Sequence, residues 1–397
     1  MSGGAGWLQG YLAPLNVLTH QQTQPQLGQL ADSKHQHQQL LQPGLKRPAF
    51  QDISNSDVVP RGQQDKGKHG PGARTQSREV NTAPVQLLSQ GQFTDPNLID
   101  NAYHTVERRK RPDRDWYDVD AANVDDPQAC GPYAAAIFSH LRQTETQRRP
   151  KPTYLEAVQH DMNAKMRAIL VDWLVEVAEE YKLCADTLYL TINFIDRFLS
   201  VHIVQRSHLQ LVGVACMWVA AKYEEVHPPN VADFCYITDN TYSKEQMVLM
   251  EETVLKQLKY ELTVPTAKTF LRRMLQVCNP DELLHFLSNY LTELSLLDHN
   301  MLNYLPSEIA AAAVCLANLM LRRAAWDCNL QHYSTYTVQD ISNCVYSLAT
   351  LHQAVTGNSQ LAAIRDKYGH QRFQAVSKMM ISASLVQQLK SSCDSSG

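Results

Sequence analysis

Signatures of catalysis are missing from this chain of 397 residues. It has no G-x-x-x-x-G-K-[ST] loop, no G-x-G-x-x-G turn, no H-E-x-x-H pair, no G-x-S-x-G elbow and no H-x-E…P-C-x-x-C string. The phosphate cradles, zinc pairs and nucleophile elbows that those strings encode therefore have no residues to build them. The acidic doublet Asp125-Asp126 is followed at once by Pro127, so it cannot open the helical acidic array of a metal-dependent prenyl-type enzyme. Histidine is common, at 15 residues, but beyond residue 115 it is scattered, without paired ligand spacing. Nothing supports a catalytic reading, and neither a metal nor a cofactor is expected.

Other absences narrow the class. None of the nine cysteines forms a C-x-x-C pair, and several lie inside apolar helical runs, where cysteine behaves as a small buried hydrophobe. A reducing compartment is expected in place of a disulfide framework. No apolar run reaches about 18 residues, and the N-terminus lacks a basic-then-apolar pattern, so neither a membrane helix nor a signal peptide is expected. These features read as a soluble protein of the nucleus or cytoplasm. Charged residues make up 19% and net charge is −4. Residues 1–115 carry 13 Lys+Arg against 10 Asp+Glu, and the remainder 23 against 30. A mildly acidic folded part argues against a surface that coats nucleic acid.

What is present falls into two styles. Residues 1–115 are rich in Gln, Gly, Pro and Ser, as in THQQTQPQLGQL, with sparse and aperiodic apolar residues. Such a segment cannot bury enough surface to offset its ordering entropy, so it is read as a disordered regulatory tail. A basic run, Arg108-Arg109-Lys110-Arg111, lies near its end; it reads equally as a solvated charge run or a nuclear import signal. Beyond about 125, helical periods follow one another without convincing strand alternation. The spacing predicts helices over 130–142, 165–182, 186–200, 207–224, 230–237, 243–258, 266–276, 281–296, 306–322, 337–353 and 359–367.

Two of these stretches, LQLVGVACMWVAAKY (209–223) and LPSEIAAAAVCLANLML (305–321), are Ala-rich, apolar nearly all round and sized for central buried helices. Ser243 with Gln246 forms a capping-box pattern that Thr337 with Asp340 repeats 94 residues later, each after a tyrosine, Tyr242 and Tyr336. A period near 95 residues points to a duplicated helical domain.

The stretch MRAILVDWLVEV (166–177) is apolar over roughly two thirds of its helical wheel, more than one core-facing stripe requires. Its second side faces either more core or a partner. Charge also appears where burial should forbid it. Arg167 and Asp196 sit in apolar arcs and are best explained by an internal ion pair, since a lone buried charge costs several kcal/mol. Lys222 and Glu251 read, on periodicity alone, as a solvated helix end and a solvated face.

MRAILVDWLVEV, LYLTINFIDRFLS and LQLVGVACMWVAAKYEE with the following Pro-Pro resemble the cyclin box closely and in order. YITDNTYSKEQMVLMEETVL, FLRRML, YLTELSLLD, LPSEIAAAA and AIRDKY make the chain similar to an A-type cyclin of plant or green-algal kind, over about residues 114–385. The resemblance implies an all-α protein of two tandem five-helix cyclin-box domains preceded by a helix and a disordered N-terminal tail. The expected boundaries are 1–115 for the tail, 116–160 for a helical extension, 161–263 and 264–385 for the two boxes, and 386–397 for a disordered end.

The same resemblance implies a regulatory, non-catalytic subunit that binds and activates a cyclin-dependent protein kinase and recruits its substrates during the cell cycle. It implies that Lys222 and Glu251 hydrogen-bond the kinase, with Tyr223, Leu255, Tyr260, Leu262, Ile137 and Leu141 as apolar contacts. Met166, Ile169, Trp173, Glu176, Leu209 and Gln210 become an exposed docking cleft for Arg-x-Leu segments of substrates and inhibitors. Arg167 and Asp196 become a structural ion pair. In the tail, Arg47, Phe50, Ile53 and Asn55 resemble a destruction box read by the anaphase-promoting ubiquitin ligase, with Phe50 replacing its leucine. Nucleic acid and membrane are not expected partners, and the expected location is the nucleus with a cytoplasmic pool. Competing readings are a tandem-cyclin-fold transcription adaptor, which would want a basic surface and a Cys-rich zinc module, a B-type cyclin, and an all-α metalloenzyme, which lacks ligands.

Overall fold

The computed structural model of the protein describes residues 115–121, 130–356 and 360–394. The destruction-box residues Arg47, Phe50, Ile53 and Asn55 and the basic run 108–111 lie outside them. Among the described residues the fold is helical. A leading helix α1 (Ala134–Thr144) and a short turn α2 (Tyr154–Ala157) precede a first five-helix domain: α3 (Ala164–Glu180), α4 (Ala185–Leu199), α5 (Leu209–Glu224), α6 (Val231–Ile237) and α7 (Lys244–Gln257). The second domain follows as α8 (Ala267–Cys278), α9 (Glu282–Leu294), α10 (Pro306–Met320), α11 (Cys328–Ser334) and α12 (Val338–Thr356). Two further helices, α13 (Ala363–Tyr368) and α14 (Ala383–Asp394), close the described chain. No helix among the described residues is long and apolar enough to cross a membrane.

Each domain is built round its Ala-rich third helix. On α5, residues 211–217 and 219–221 are buried, and on α10 Ala310, Ala311, Ala312 and Ala313 are fully buried. Small side chains let the surrounding helices approach closely, which suits a helix that must be packed on every side. Gly213 shows the limit: a Cβ there would lie 2.9 Å from Leu170 Cδ1, so any larger residue would require the buried Leu170 side chain to shift. Asn163 caps α3 by accepting the Met166 N–H at 3.0 Å.

The repeat anticipated from spacing is realised in the caps. Ser243 and Gln246 form a capping box at α7, while Thr337 and Asp340 exchange the same bonds at α12. The tyrosine before each cap reaches the start of its domain's central helix. Tyr242 donates to the Ser207 carbonyl at 3.1 Å, and the Tyr336 and Ser307 hydroxyls lie 2.9 Å apart.

The segments flanking the two domains fold back on them. α1 ends in Glu145, 3% exposed, whose carboxylate accepts the Ser307 N–H at 3.0 Å and the Ser307 hydroxyl at 2.9 Å. A carboxylate at the first turn of α10 satisfies otherwise orphaned donors and complements the helix dipole. Residues 115–121 lie against the second domain. There Trp116 stacks on His332 at 3.8 Å, Tyr117 N–H donates to Asn329 Oδ1 at 2.7 Å, and Asp120 pairs with Arg273 at 2.6 Å.

Residues 386–394, expected as part of a disordered end, instead belong to α14, which runs through Asp394 and packs on α12. Leu385, Val386 and Leu389 place one apolar stripe on the core, and Ser382 accepts the Leu385 N–H at 3.2 Å. α2 and α11, of four and seven residues, lie outside the helices that the spacing predicts.

Candidate functional site

Lys222 stands on the last turn of α5 and Glu251 in the middle of α7, and the packing of these two helices on each other brings them together. The ammonium and carboxylate form an ion pair whose side chains keep 36% and 17% exposure. Lys222 also lies over the Trp218 ring, 3.7 Å from its centroid. Tyr223 follows Lys222, and its hydroxyl lies 2.7 Å from Thr263 Oγ1, tying the end of α5 to the strand-like link between domains.

The apolar members of the set lie on α7 and in the turn and link that follow it. Leu255 is half-buried on α7, and the chain then turns sharply through Lys259 and Tyr260, both in the left-handed region. The Tyr260 N–H donates to the Leu255 carbonyl at 2.9 Å, which leaves the Tyr260 ring 65% exposed. Leu262 packs half-buried beside it. Of the two positions on α1, Leu141 packs against the apolar cluster of α8, and Ile137 is half-buried and belongs to neither core cluster. The chain after α1 reaches the same link through Arg148, which donates to the Thr263 carbonyl at 2.8 Å and pairs with Glu261.

Arg167 and Asp196 form a bidentate buried pair, 3% and 1% exposed, with both bonds at 2.7 Å. Tyr154 donates to the same carboxylate at 2.9 Å, and Arg167 Nη1 reaches the Leu296 carbonyl of the second domain at 2.8 Å. Burial and the Asp196 charge push the Tyr154 hydroxyl well above its ordinary range. This pair belongs to the junction of the domains and not to the surface.

The stripe expected to be an exposed cleft is mostly covered. Met166, Leu209 and Gln210 are buried, at 6%, 1% and 3% exposure, while Ile169, Trp173 and Glu176 are half-buried. α3 and α5 pack closely, with Gly213 against Leu170, and Met166 and Leu209 both lie in the buried core they share. The second side of α3 is therefore core at its beginning and surface only along Ile169, Trp173 and Glu176. The Gln210 amide nitrogen is left without a hydrogen-bond partner. Such a group costs free energy until something accepts from it.

Sequence reasoning missed two features. Trp218 lies four residues before Lys222, a spacing legible on a helix once Lys222 is singled out. The other is the buried carboxylate of Glu224, which burial and nearby Asp186 raise to about 7. No sequence pattern marks it, because Asp186 comes from α4.

Residues 136–263 match the family described as "Cyclin, N-terminal domain", and residues 265–382 that described as "Cyclin, C-terminal domain". The chain is 51% identical over 268 residues to Cyclin-A1-1 of Oryza sativa subsp. japonica, an alignment covering 66% of this chain and 52% of that one. It is 48% identical over 275 residues to Putative cyclin-A3-1 of Arabidopsis thaliana, covering 68% of this chain and 77% of that one. The chain spans about half the length of the rice relatives it matches. The solved structure of a viral cyclin from herpesvirus saimiri superposes with a TM-score of 0.51 at 22% identity, over 57% of this chain and 99% of that one. At that identity the likeness concerns the fold alone.

Proposed function

The chain belongs to the cyclin family, with A-type cyclins among its relatives, and we propose that it binds and activates a cyclin-dependent protein kinase without itself doing chemistry. One observation supports the reading: Lys222 and Glu251 form a part-exposed ion pair at the end of α5, with Leu255 one turn beyond Glu251 on α7 and Tyr260 exposed in the turn that follows. A kinase transfers phosphate only when its strand lysine, αC glutamate and metal-binding aspartate are in register. A subunit that binds the competent placement of αC more tightly than the incompetent one shifts the population and needs no reacting group of its own. Apolar burial of Tyr260 and its neighbours supplies affinity, and the charged pair fixes orientation. The adaptor and B-type readings are not favoured by the A-type relatives.

The α3 surface is proposed as a substrate-docking site in reduced form: Ile169, Trp173 and Glu176 receive an Arg-x-Leu segment, and Gln210 gives its unused amide N–H to that segment's backbone. The tail motif Arg47 to Asn55 is proposed as a signal for the anaphase-promoting ubiquitin ligase, and Arg108–Arg111 as a nuclear import signal that leaves a cytoplasmic pool.

Capture from synchronised plant-cell extract tests the central claim. The wild-type chain should retain a cyclin-dependent kinase and its phosphoryl-transfer activity. Lys222→Ala or Glu251→Ala should lose about 2–5 kcal/mol of affinity while keeping helical circular dichroism. Undiminished capture by both variants would end the reading.

A further inference from the structure

We infer that Trp218 is a positioning residue for partner binding: its indole face holds the Lys222 ammonium in the one place from which, together with Glu251, it can meet the kinase. The inference rests on the reading of this surface as the kinase-binding face. Lysine carries a flexible four-carbon stem, and an exposed lysine at a helix end ordinarily samples many rotamers. Here three features converge on one position. A helical side chain leans back over the preceding turn, so Lys222 falls on Trp218, four residues earlier. Its nitrogen is 3.7 Å from the ring centroid, well within the range of cation–π attraction, for which tryptophan is the strongest partner. Glu251 pairs with it from α7, and the C-terminal end of α5 favours a cation.

Trp218 is unusual for α5. The helix buries nearly every residue ahead of Lys222, yet Trp218 stays half-buried, with its ring packed on the core from one side. A residue needed only to fill space there would be hidden. The ring instead offers a face to solvent, and the ammonium occupies that face. The lysine is thus ordered before a partner arrives, so less of its rotamer freedom remains to be lost on association.

A double-mutant cycle in the full chain tests this, using the kinase that the wild-type chain captures. Trp218→Leu keeps an apolar filler and removes the ring. It should weaken kinase binding about two- to five-fold, the range of an exposed cation–π contact. In a Lys222→Ala background the same change should have almost no effect. Trp218→Phe, with a weaker aromatic face, should fall between. In the free protein, the Lys222 Cε methylene protons should show an upfield ring-current shift in nuclear magnetic resonance that Trp218→Leu abolishes. This readout needs no kinase, and wild-type protein alone suffices for it if Trp218→Leu fails to fold. Equal weakening in both backgrounds would make Trp218 a direct contact or a fold residue and overturn the inference, as would an unshifted Lys222 methylene. If Lys222→Ala itself leaves binding unchanged, the assignment of the kinase face fails, while the ring-current result still decides the placement of the lysine.

Discussion

The two domains bury a carboxylate at the same place and satisfy it from opposite directions along the chain. Asp196 and Glu293 each lie twelve residues beyond the N-cap of their domain's second helix, Cys184 and Asp281, and both are at most 2% exposed. Each accepts a tyrosine hydroxyl at 2.9 Å and pairs with a cation. In the first domain the tyrosine and the cation come from upstream, as Tyr154 and Arg167. In the second they come from downstream, as Lys367 and Tyr368 of α13. Phe270 occupies in α8 the position that Arg167 holds in α3, four residues after the cap. With phenylalanine at that position, the cation for Glu293 comes from the C-terminal segment. The same lysine couples the domains, because Lys367 pairs with Glu179 of α3 at 3.1 Å as well as with Glu293. A buried acid is a fixed demand of this layout; where its counter-charge comes from is free to differ.

Breaking each arrangement should show how far the equivalence extends. Arg167→Ala leaves Asp196 buried with a single tyrosine donor and also abandons the Leu296 carbonyl. It should cost about 3–5 kcal/mol in urea unfolding. Lys367→Ala should cost less, about 2–3 kcal/mol, since Tyr368 still donates to Glu293 and one charge-assisted bond is worth about 1.5–3 kcal/mol. A Lys367→Ala loss equal to that of Arg167→Ala would mean that the C-terminal latch, and not the pair, sustains the junction.

The domains should also answer oppositely to pH. His352 is fully buried on α12, and burial lowers its pKa to about 4, against an unfolded value near 6.5. Between those values the unfolded chain binds the extra proton, so stability falls as pH drops from about 6.5 toward 4, by about 1–3 kcal/mol. His352→Leu should flatten that limb of the curve. Glu224 in the first domain has its pKa raised to about 7 by burial and by Asp186. The folded state there holds the extra proton, so stability falls as pH rises from about 4.5 toward 7, by about 1–2 kcal/mol after allowing for partial solvent access. Glu224→Gln should remove that slope. Two slopes of the same sign would contradict the assignment. The smallest effect should be the most symmetric: Ser243→Ala and Thr337→Ala each remove one side of a capping box and should each cost about 1 kcal/mol by chemical denaturation.

Much of this was legible in the chain. Helical periods marked the large helices, since each is long enough to show several turns of apolar repetition. The central helices α5 and α10 were readable from their Ala-rich, all-round apolar composition, and the capping boxes from spacing alone. The Arg167–Asp196 pair followed from cost, because neither charge tolerates burial alone. The docking stripe was not readable in the same way. Met166 and Trp173 share one face of a wheel, but exposure along that face depends on what packs against it, and Met166 is in the core while Trp173 is half-buried. α14 was misjudged because Leu385, Val386 and Leu389 are three apolar residues among serines and glutamines, too few to signal a helix until α12 offers a surface to cover them.

Sequence alone determined the quantities that are local: which long segments are helices, where two of them carry capping boxes, which are buried all round, and that buried charges require partners. Those follow from periods of 3.6 residues and from solvation costs that each residue carries wherever it sits. Only the tertiary structure decided which partner answers each charge. It brought Glu251 to Lys222, and Lys367 to Glu293 and Glu179 across separations of 74 and 188 residues. It also set a tryptophan under the lysine of the candidate binding face with its outer side open. Such contacts depend on how helices cross, and crossing is fixed by the whole packed core and by no single stretch of chain.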